Sequence, residues 1–169
     1  MYYLAEQCSA FLIIEYKNGM IYNTIIMKDL TVIFDTSIIF FALQSRNGVS
    51  YKLFEKLLNE EFSIAISVPL VMEYEAMLKK KLVPAIYTEE DIDNVIDYLC
   101  LIGKQTKIYY LWRPHLKDAF DDHVLEVALY SGVSYIVTHN IKDFTIAKEM
   151  GIIAITPREF LILLEEKSL

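Results

Sequence analysis

Asp35 stands in VIFDTSIIFF, residues 32–41, where nearly every neighbour is apolar. Burying an unpaired carboxylate costs several kcal/mol, and the group usually takes up a proton instead. Such a residue either caps the next element or faces a cation. Three other places put acids or an amide at comparable points: Glu73 and Glu75 follow FSIAISV, Asp118, Asp121 and Asp122 stand in KDAFDDHVLEVAL, and Asn140 and Asp143 follow SYIVT. Carboxylates that converge on one cleft repel each other and shift toward protonation unless a cation neutralises them. Oxygen donors without Cys or His pairs suit Mg2+ or Mn2+ rather than zinc. Cys8 and Cys100 make no metal-spaced pair, and His115, His123 and His139 share no helical spacing. The nearby cations in sequence are Arg113, Lys117 and Lys142. Arg113 leads the candidates for a substrate or partner contact, joined by Lys142 and by His139, which can line the cleft.

Each of these residues also has a quieter role open to it. Asp118 and Asp121 have the spacing of a helix N-cap and its third position, where acids favour the helix dipole by ~0.3–1 kcal/mol each. Asp122 lies past the cap, on one stripe with Leu125 and Leu129, where a carboxylate needs a partner. Glu73 sits on one edge of a core stripe made by Leu70, Tyr74, Met77 and Leu78, and Glu75 sits on the other edge. Periodicity does not choose between them.

The elements that must position these residues alternate. LTVIFD and FSIAISV are apolar strands, and residues 37–60 between them are helical, interrupted at Arg46-Asn47-Gly48. Pro69 opens a helix, as suits a first helical residue. Residues 88–103 form another, with Thr88 capping and Gly103 ending it. KIYYLW is expected as a strand, 118–132 as a helix, SYIVT as a strand, FTIAKEMG as a short helix and IIAI as a strand. TPREFLILLEE closes the chain as a helix, with Thr156 and Glu159 at capping-box spacing. Strands that read as continuous apolar runs between helices indicate a parallel sheet covered on both faces. In such sheets sites lie beyond the carboxyl ends of the strands, where strand order reverses. Asp35 and Thr138-His139-Asn140 both follow strands.

Ahead of this unit, FLIIEYKNGMIYNTII is two β-rich runs joined through Asn18-Gly19, the strongest short-range hairpin signal. MKDLTVIFDTS also resembles a natural start, which would make Met27 the initiator. The division expected is an extension over 1–29 and one domain over 30–169.

A net charge of −7 weighs against broad nucleic-acid binding through phosphate neutralisation, although a local basic rim or a metal ion can meet a phosphate instead. Hydrophobic residues make up 54% of the chain, yet no apolar run approaches the ~18 residues of a membrane span. The excess favours a dense core and an apolar interface, either a homodimer or a clamped partner peptide. The first residues lack a basic leader, and two cysteines without metal spacing suit reduced thiols in the cytoplasm.

Four blocks, VIFDTSIIFFAL, SVPLVMEYEAML, WRPHLKDAFDDHVLEVAL and SYIVTHNIKDF, together resemble those of PIN-domain proteins, in order and with fitting spacing from about Leu30 to Phe160. The branch resembled is that of toxin components of bacterial type II toxin–antitoxin pairs, the VapC-like ribonucleases. The resemblance implies a three-layer α/β/α fold on a parallel sheet of about five strands. It implies an acidic cleft for one or two Mg2+ or Mn2+ ions, cleavage of RNA phosphodiesters and a cognate antitoxin as partner. Asp35, Glu73 and Asp122 match the family's first three acids, with Thr36 and Ser37 as the small polar residues beside the first. Asp118, Asp121 and Thr138 fall beside the matched acids as supporting groups. At the fourth acidic position this chain departs: Asn140 stands there, and Asp143 comes three residues later. Asn140 can offer a neutral carbonyl oxygen and Asp143 can act through a water, which suits a weaker second metal. Ala119 replaces a proline common after the Asp at position 118.

Other strand-end acids fit less well. A receiver-type phosphoacceptor needs an acid pair after its first strand and a Lys after its last, and Ile155-Thr156-Pro157 offers none. A haloacid-dehalogenase-type phosphatase needs a second Asp where Ser37 stands. The rival of substance is a PIN-like fold that binds a protein or RNA and cuts poorly, which Asn140 and the acidic balance favour.

Overall fold

The computed structural model describes residues 11–17, 20–26, 30–83, 86–109 and 122–166; for the first two segments it describes backbone pairing. Cys8, Asn18, Gly19, Met27, Arg113, His115, Lys117, Asp118, Ala119 and Asp121 lie outside the described residues.

Strands β1 (Phe11–Lys17) and β2 (Met20–Ile26) pair antiparallel from Phe11↔Ile26 to Lys17↔Met20, the two-residue hairpin register that an Asn-Gly turn selects. A five-stranded parallel sheet follows. It begins with β3 (Thr31–Phe34), helices α1 (Thr36–Gln44) and α2 (Val49–Leu58), and β4 (Ser63–Ile66). Helices α3 (Val68–Leu82) and α4 (Glu89–Ile102) lead to β5 (Lys104–Gln105). Helix α5 (Asp122–Ser131), β6 (Tyr135–Val137), a 3-10 helix over Ile141–Met150 kinked at Phe144, β7 (Ile153–Ile155) and α6 (Pro157–Glu166) complete it.

Strand order is β5-β4-β3-β6-β7. The chain builds outward from β3 through β4 to β5, then returns to add β6 and β7 on the other side. The reversal point is therefore the seam between β3 and β6, paired in parallel through Ile33↔Ile136 and Phe34↔Val137. Helices cover both faces of this sheet, giving the α/β/α layering. Val32, Ile33 and Phe34 are all fully buried, as consecutive residues can be only when both faces are covered. Phe62 packs against Phe34 at 5.7 Å and against Phe160 at 5.1 Å between ring centroids, joining the sheet to α6.

Local signals explain most boundaries. Thr88 and Asp91 form a reciprocal capping box on α4, and Thr156 with Glu159 makes the same exchange before α6. Pro69 is the second residue of α3 rather than its first, because Ser67 caps the helix and Val68 begins it. Gly103 ends α4 where a Cβ would stand 2.7 Å from the Ile66 side chain and 2.8 Å from the Leu99 carbonyl, so only glycine lets the chain turn so close to β4.

One strand departs from expectation. The sheet's fifth strand is Lys104–Gln105, paired to Ala65 and Ile66, rather than KIYYLW. Residues 107–109 form no strand and 110–112 lie outside the described residues. Thr106 N–H reaches the Ile66 carbonyl at 2.7 Å, so β5 stays in register only briefly along the edge of β4. No described helix is long and apolar enough to cross a membrane. Among the described residues Cys100 is a free cysteine.

Candidate active site

Asp35 is the first residue beyond β3, and its N–H donates to the Val137 carbonyl of β6 at 3.0 Å. It occupies the N-cap position of α1, yet its side chain makes no capping hydrogen bond. Its Oδ2 instead accepts from the Ser37 hydroxyl at 2.6 Å and from the Thr138 hydroxyl at 2.7 Å. Asp35 is 7% exposed and Thr138 fully buried. The capping alternative is thus set aside: the carboxylate is aimed across the seam between β3 and β6. Among the described residues it has no ion pair, only neutral hydroxyl partners.

Helix α3 brings the second acid. The Thr36 hydroxyl, one residue past Asp35, donates to Glu73 Oε1 at 2.6 Å. The next residue, Tyr74, is fully buried and its hydroxyl donates to the Phe34 carbonyl, immediately before Asp35. Two consecutive residues of α3 therefore bond Phe34 and Thr36, the residues on either side of Asp35. Burial, and after it the charges of Asp35 and Glu73, push the Tyr74 phenol well above its ordinary pKa, keeping it a donor. Glu75, on the other edge of the helix, bonds Lys79 at 2.7 Å instead.

Asp122 is the first described residue of α5 and only 1% exposed, on a helix that packs against β3, β4 and β6. An acid in the first turn suits the helix dipole. One turn on, Glu126 is 2% exposed, with Oε2 3.8 Å from His123 Nδ1. The sequence reading passed over Glu126. Its signal was the four-residue step from Asp122 in a helix whose buried residues, Val124, Leu125, Val127 and Ala128, are otherwise apolar.

After β6, Thr138 also accepts from the Asn140 N–H at 2.9 Å, which fixes the turn. His139 is exposed, its Nε2 2.9 Å from the buried Ser50 hydroxyl and its ring edge-on to Phe41 at 4.8 Å. Partial burial lowers the His139 pKa, and the Asp35 charge pulls the other way. Asn140 caps the 3-10 helix in position only, and Lys142 and Asp143 are exposed in its first turn. No hydrogen bond joins the side chains of Asn140, Lys142 or Asp143 to Asp35 among the described residues.

The structure thus gathers Asp35, Thr36, Ser37, Glu73 and Thr138 by direct hydrogen bonds, with His139 alongside. Asp122 reaches the sheet on its own helix, and the 3-10 helix carries Asp143 and Lys142 at the surface. Among the described residues no three His, Cys, Asp or Glu side chains meet closely enough to hold a metal by themselves. The donor chemistry nonetheless fits a hard divalent cation. Mg2+ is usually held by one or two carboxylates, waters and substrate phosphate rather than by a full protein cage. The Asp35 carboxylate, held on Oδ2 by two neutral hydroxyls, is an oxygen donor of that kind.

No curated protein matches the chain significantly. Among solved structures, VapBC2 from Rickettsia felis bound to a DNA fragment from their promoter superposes with a TM-score of 0.54 at 18% identity, covering 75% of this chain and 98% of that one. VapBC-1 from nontypeable Haemophilus influenzae superposes at 0.52 and 17% identity, covering 76% and 99%. At such identities the likeness speaks for the fold. The family model of the PIN domain matches residues 31–142, which run from the start of β3 to beyond Asn140 and include every residue of the hydrogen-bonded cluster. The chain belongs to the PIN domain family.

Proposed function

We propose that this chain is a metal-dependent endoribonuclease, the toxin of a toxin–antitoxin pair, acting on RNA in the cytoplasm. The observation that carries the reading is the buried Asp35 carboxylate at the strand-order reversal, held by Ser37 and Thr138 and linked through Thr36 to Glu73. Residues 30–169 make up the nuclease domain and 1–29 an extension to it. Asp35, Glu73 and Asp122 are the acids that hold one or two Mg2+ or Mn2+ ions, with Asn140 and Asp143 as weaker donors. Such an ion, when bound, supplies a lowered water pKa and charge neutralisation at a phosphodiester.

This chain's own residues set the geometry. Ser37 and Thr138 fix the direction of the Asp35 carboxylate through two hydrogen bonds to its Oδ2. Thr36 turns Glu73 toward the same end of β3, where its carboxylate can orient a water and take up its proton. Asp122 makes the start of α5 acidic, and Asp118 and Asp121 shortly before it in sequence are its supporting acids. Arg113, His139 and Lys142 are the groups available to the RNA. The likeness to the two VapBC structures supports a cognate antitoxin as partner, and the apolar content of the chain supports a homodimer.

The second reading, a PIN-like module that binds RNA or protein and cuts poorly, draws on Asn140, an exposed neutral amide at the position of the family's fourth acid. Turnover separates the two. Purified protein is incubated with labelled RNAs and tRNAs in Mn2+, beside EDTA and Asp35→Asn controls. Cleavage that needs both metal and Asp35 supports the nuclease. RNA or antitoxin binding without any cleavage would favour the module.

A further inference from the structure

An exposed aromatic pair lies beside the acidic cluster and is held more firmly than exposure alone would require. Phe41 is 42% exposed, on the face of α1 that also carries Ser37 one turn earlier. Helical side chains lean toward the preceding turn, so the ring lies over the turn whose serine holds Asp35. His139 meets it edge-on at 4.8 Å and is pinned from below by the buried Ser50 hydroxyl. A buried serine that spends its hydroxyl on an exposed imidazole sets the angle of a ring that otherwise faces water. Behind Phe41, the Phe40 ring stands at 5.1 Å, and Lys81 Nζ lies 5.1 Å from its centroid.

Resting on the nuclease reading above, we infer that Phe41 and His139 form a ledge on which an unpaired RNA base stacks, seating the nucleotide beside the bond to be cut. The argument is one of place and of charge. Asp35 and Phe41 are separated by six residues, roughly 9 Å along a helix rising ~1.5 Å per residue, and Thr138 joins His139 directly to the Asp35 carboxylate. A chain with a net charge of −7 gains little affinity from spread-out phosphate contacts. Stacking on aromatic faces needs no net charge and tolerates any base, because every base has a π-face. Lys81, over Phe40, places a single cation at the far end of the ledge for the backbone of a strand lying along it. A duplex keeps its bases stacked inside, so the ledge selects single strands or loops.

The test uses the full chain carrying Asp35→Asn, in Mg2+, with a short labelled single-stranded RNA and matched strands each bearing one abasic nucleotide. Adding Phe41→Leu keeps an apolar side chain but removes the ring. It is expected to weaken the intact strand by about five- to a hundred-fold, the range set by losing one stacked base. One abasic position should bind as weakly as the Phe41→Leu chain binds intact RNA, and should lose nothing further from that substitution. Equal affinity with and without Phe41→Leu, equal weakening of intact and abasic strands, or no RNA binding at all would overturn the ledge. Cleavage by the wild-type chain in Mn2+ is followed in parallel. Cleavage together with Phe41-independent binding removes the ledge and keeps the nuclease; Phe41-dependent binding without cleavage does the reverse.

Discussion

The Thr138 hydroxyl donates to Asp35 Oδ2 at 2.7 Å across 103 residues of sequence, between the ends of two adjacent parallel strands. This bond closes the seam where strand order reverses and fixes the direction of the buried acid. Thr138→Val keeps the volume and removes the donor. The expected result is a loss of roughly 10- to 100-fold in Mn2+ affinity or turnover, the usual effect of removing a group that orients a ligand. Titration of Mn2+ and single-turnover cleavage, with circular dichroism as the control for folding, measure it.

The two edges of α3 are predicted to behave differently. Glu73→Gln should lower RNA cleavage by at least about ten-fold, because Glu73 faces Thr36 and the end of β3. Glu75→Gln should leave cleavage unchanged, since Glu75 is engaged with Lys79. Parallel rate measurements on the two variants check this. Equal losses in both would mean that the helix face, not the individual acid, matters.

Tyr74 links this cluster to stability at high pH. Its phenol pKa is raised well above the ordinary value by burial and then by the charges of Asp35 and Glu73, so the folded state holds the proton more tightly than the unfolded one. A raised folded pKa gives a contribution that is complete below the unfolded pKa and lost as pH rises above it. Stability should therefore fall from about pH 10 upward, and Tyr74→Phe should flatten that fall. The same variant should cost about 1–3 kcal/mol at neutral pH, because the Phe34 carbonyl loses its donor. Urea denaturation across the alkaline range reads both effects.

How much of this was legible beforehand differs by kind of signal. The parallel sheet was readable because strands buried on both faces must be apolar throughout, as Val32-Ile33-Phe34 and Tyr135-Ile136-Val137 are. Thr88 as a cap and the Thr156-Glu159 box were readable because such signals lie within four residues. The edge strand was not. Lys104 and Gln105 are exposed and polar, held by the ladder to β4 and by a bond from Lys104 Nζ to the Thr31 hydroxyl. The apolar pattern of KIYYLW starts only at 107, and 107–109 form no strand. A helical wheel could place Glu73 and Glu75 on two edges but could not say which edge meets Thr36. Glu126 escaped for a related reason: a single acid within an apolar helix face reads as a surface residue until the packing is known.

The capping boxes carry an acid-side prediction. Hydrogen bonds from Thr88 hold Asp91 below its ordinary pKa, and hydrogen bonds from Thr156 do the same for Glu159. A depressed folded pKa contributes stability that is present above the unfolded value and lost as pH falls through the folded one. Both groups should therefore weaken α4 and α6 below the ordinary carboxylate range. The double variant Asp91→Asn, Glu159→Gln should show a shallower acid limb in thermal melts recorded against pH. A limb unchanged from the wild type would show that neither box is titrating there.

The central claim is that Asp122, arriving on its own helix, shares a divalent cation with Asp35. Calorimetric titration of Mn2+ into the wild-type chain, Asp35→Asn and Asp122→Asn measures it most directly. Binding lost or weakened at least about ten-fold in both variants, with the fold intact, is the predicted result. Wild-type Mn2+ affinity in Asp122→Asn would contradict the claim and leave Asp35 and Glu73 without their third acid.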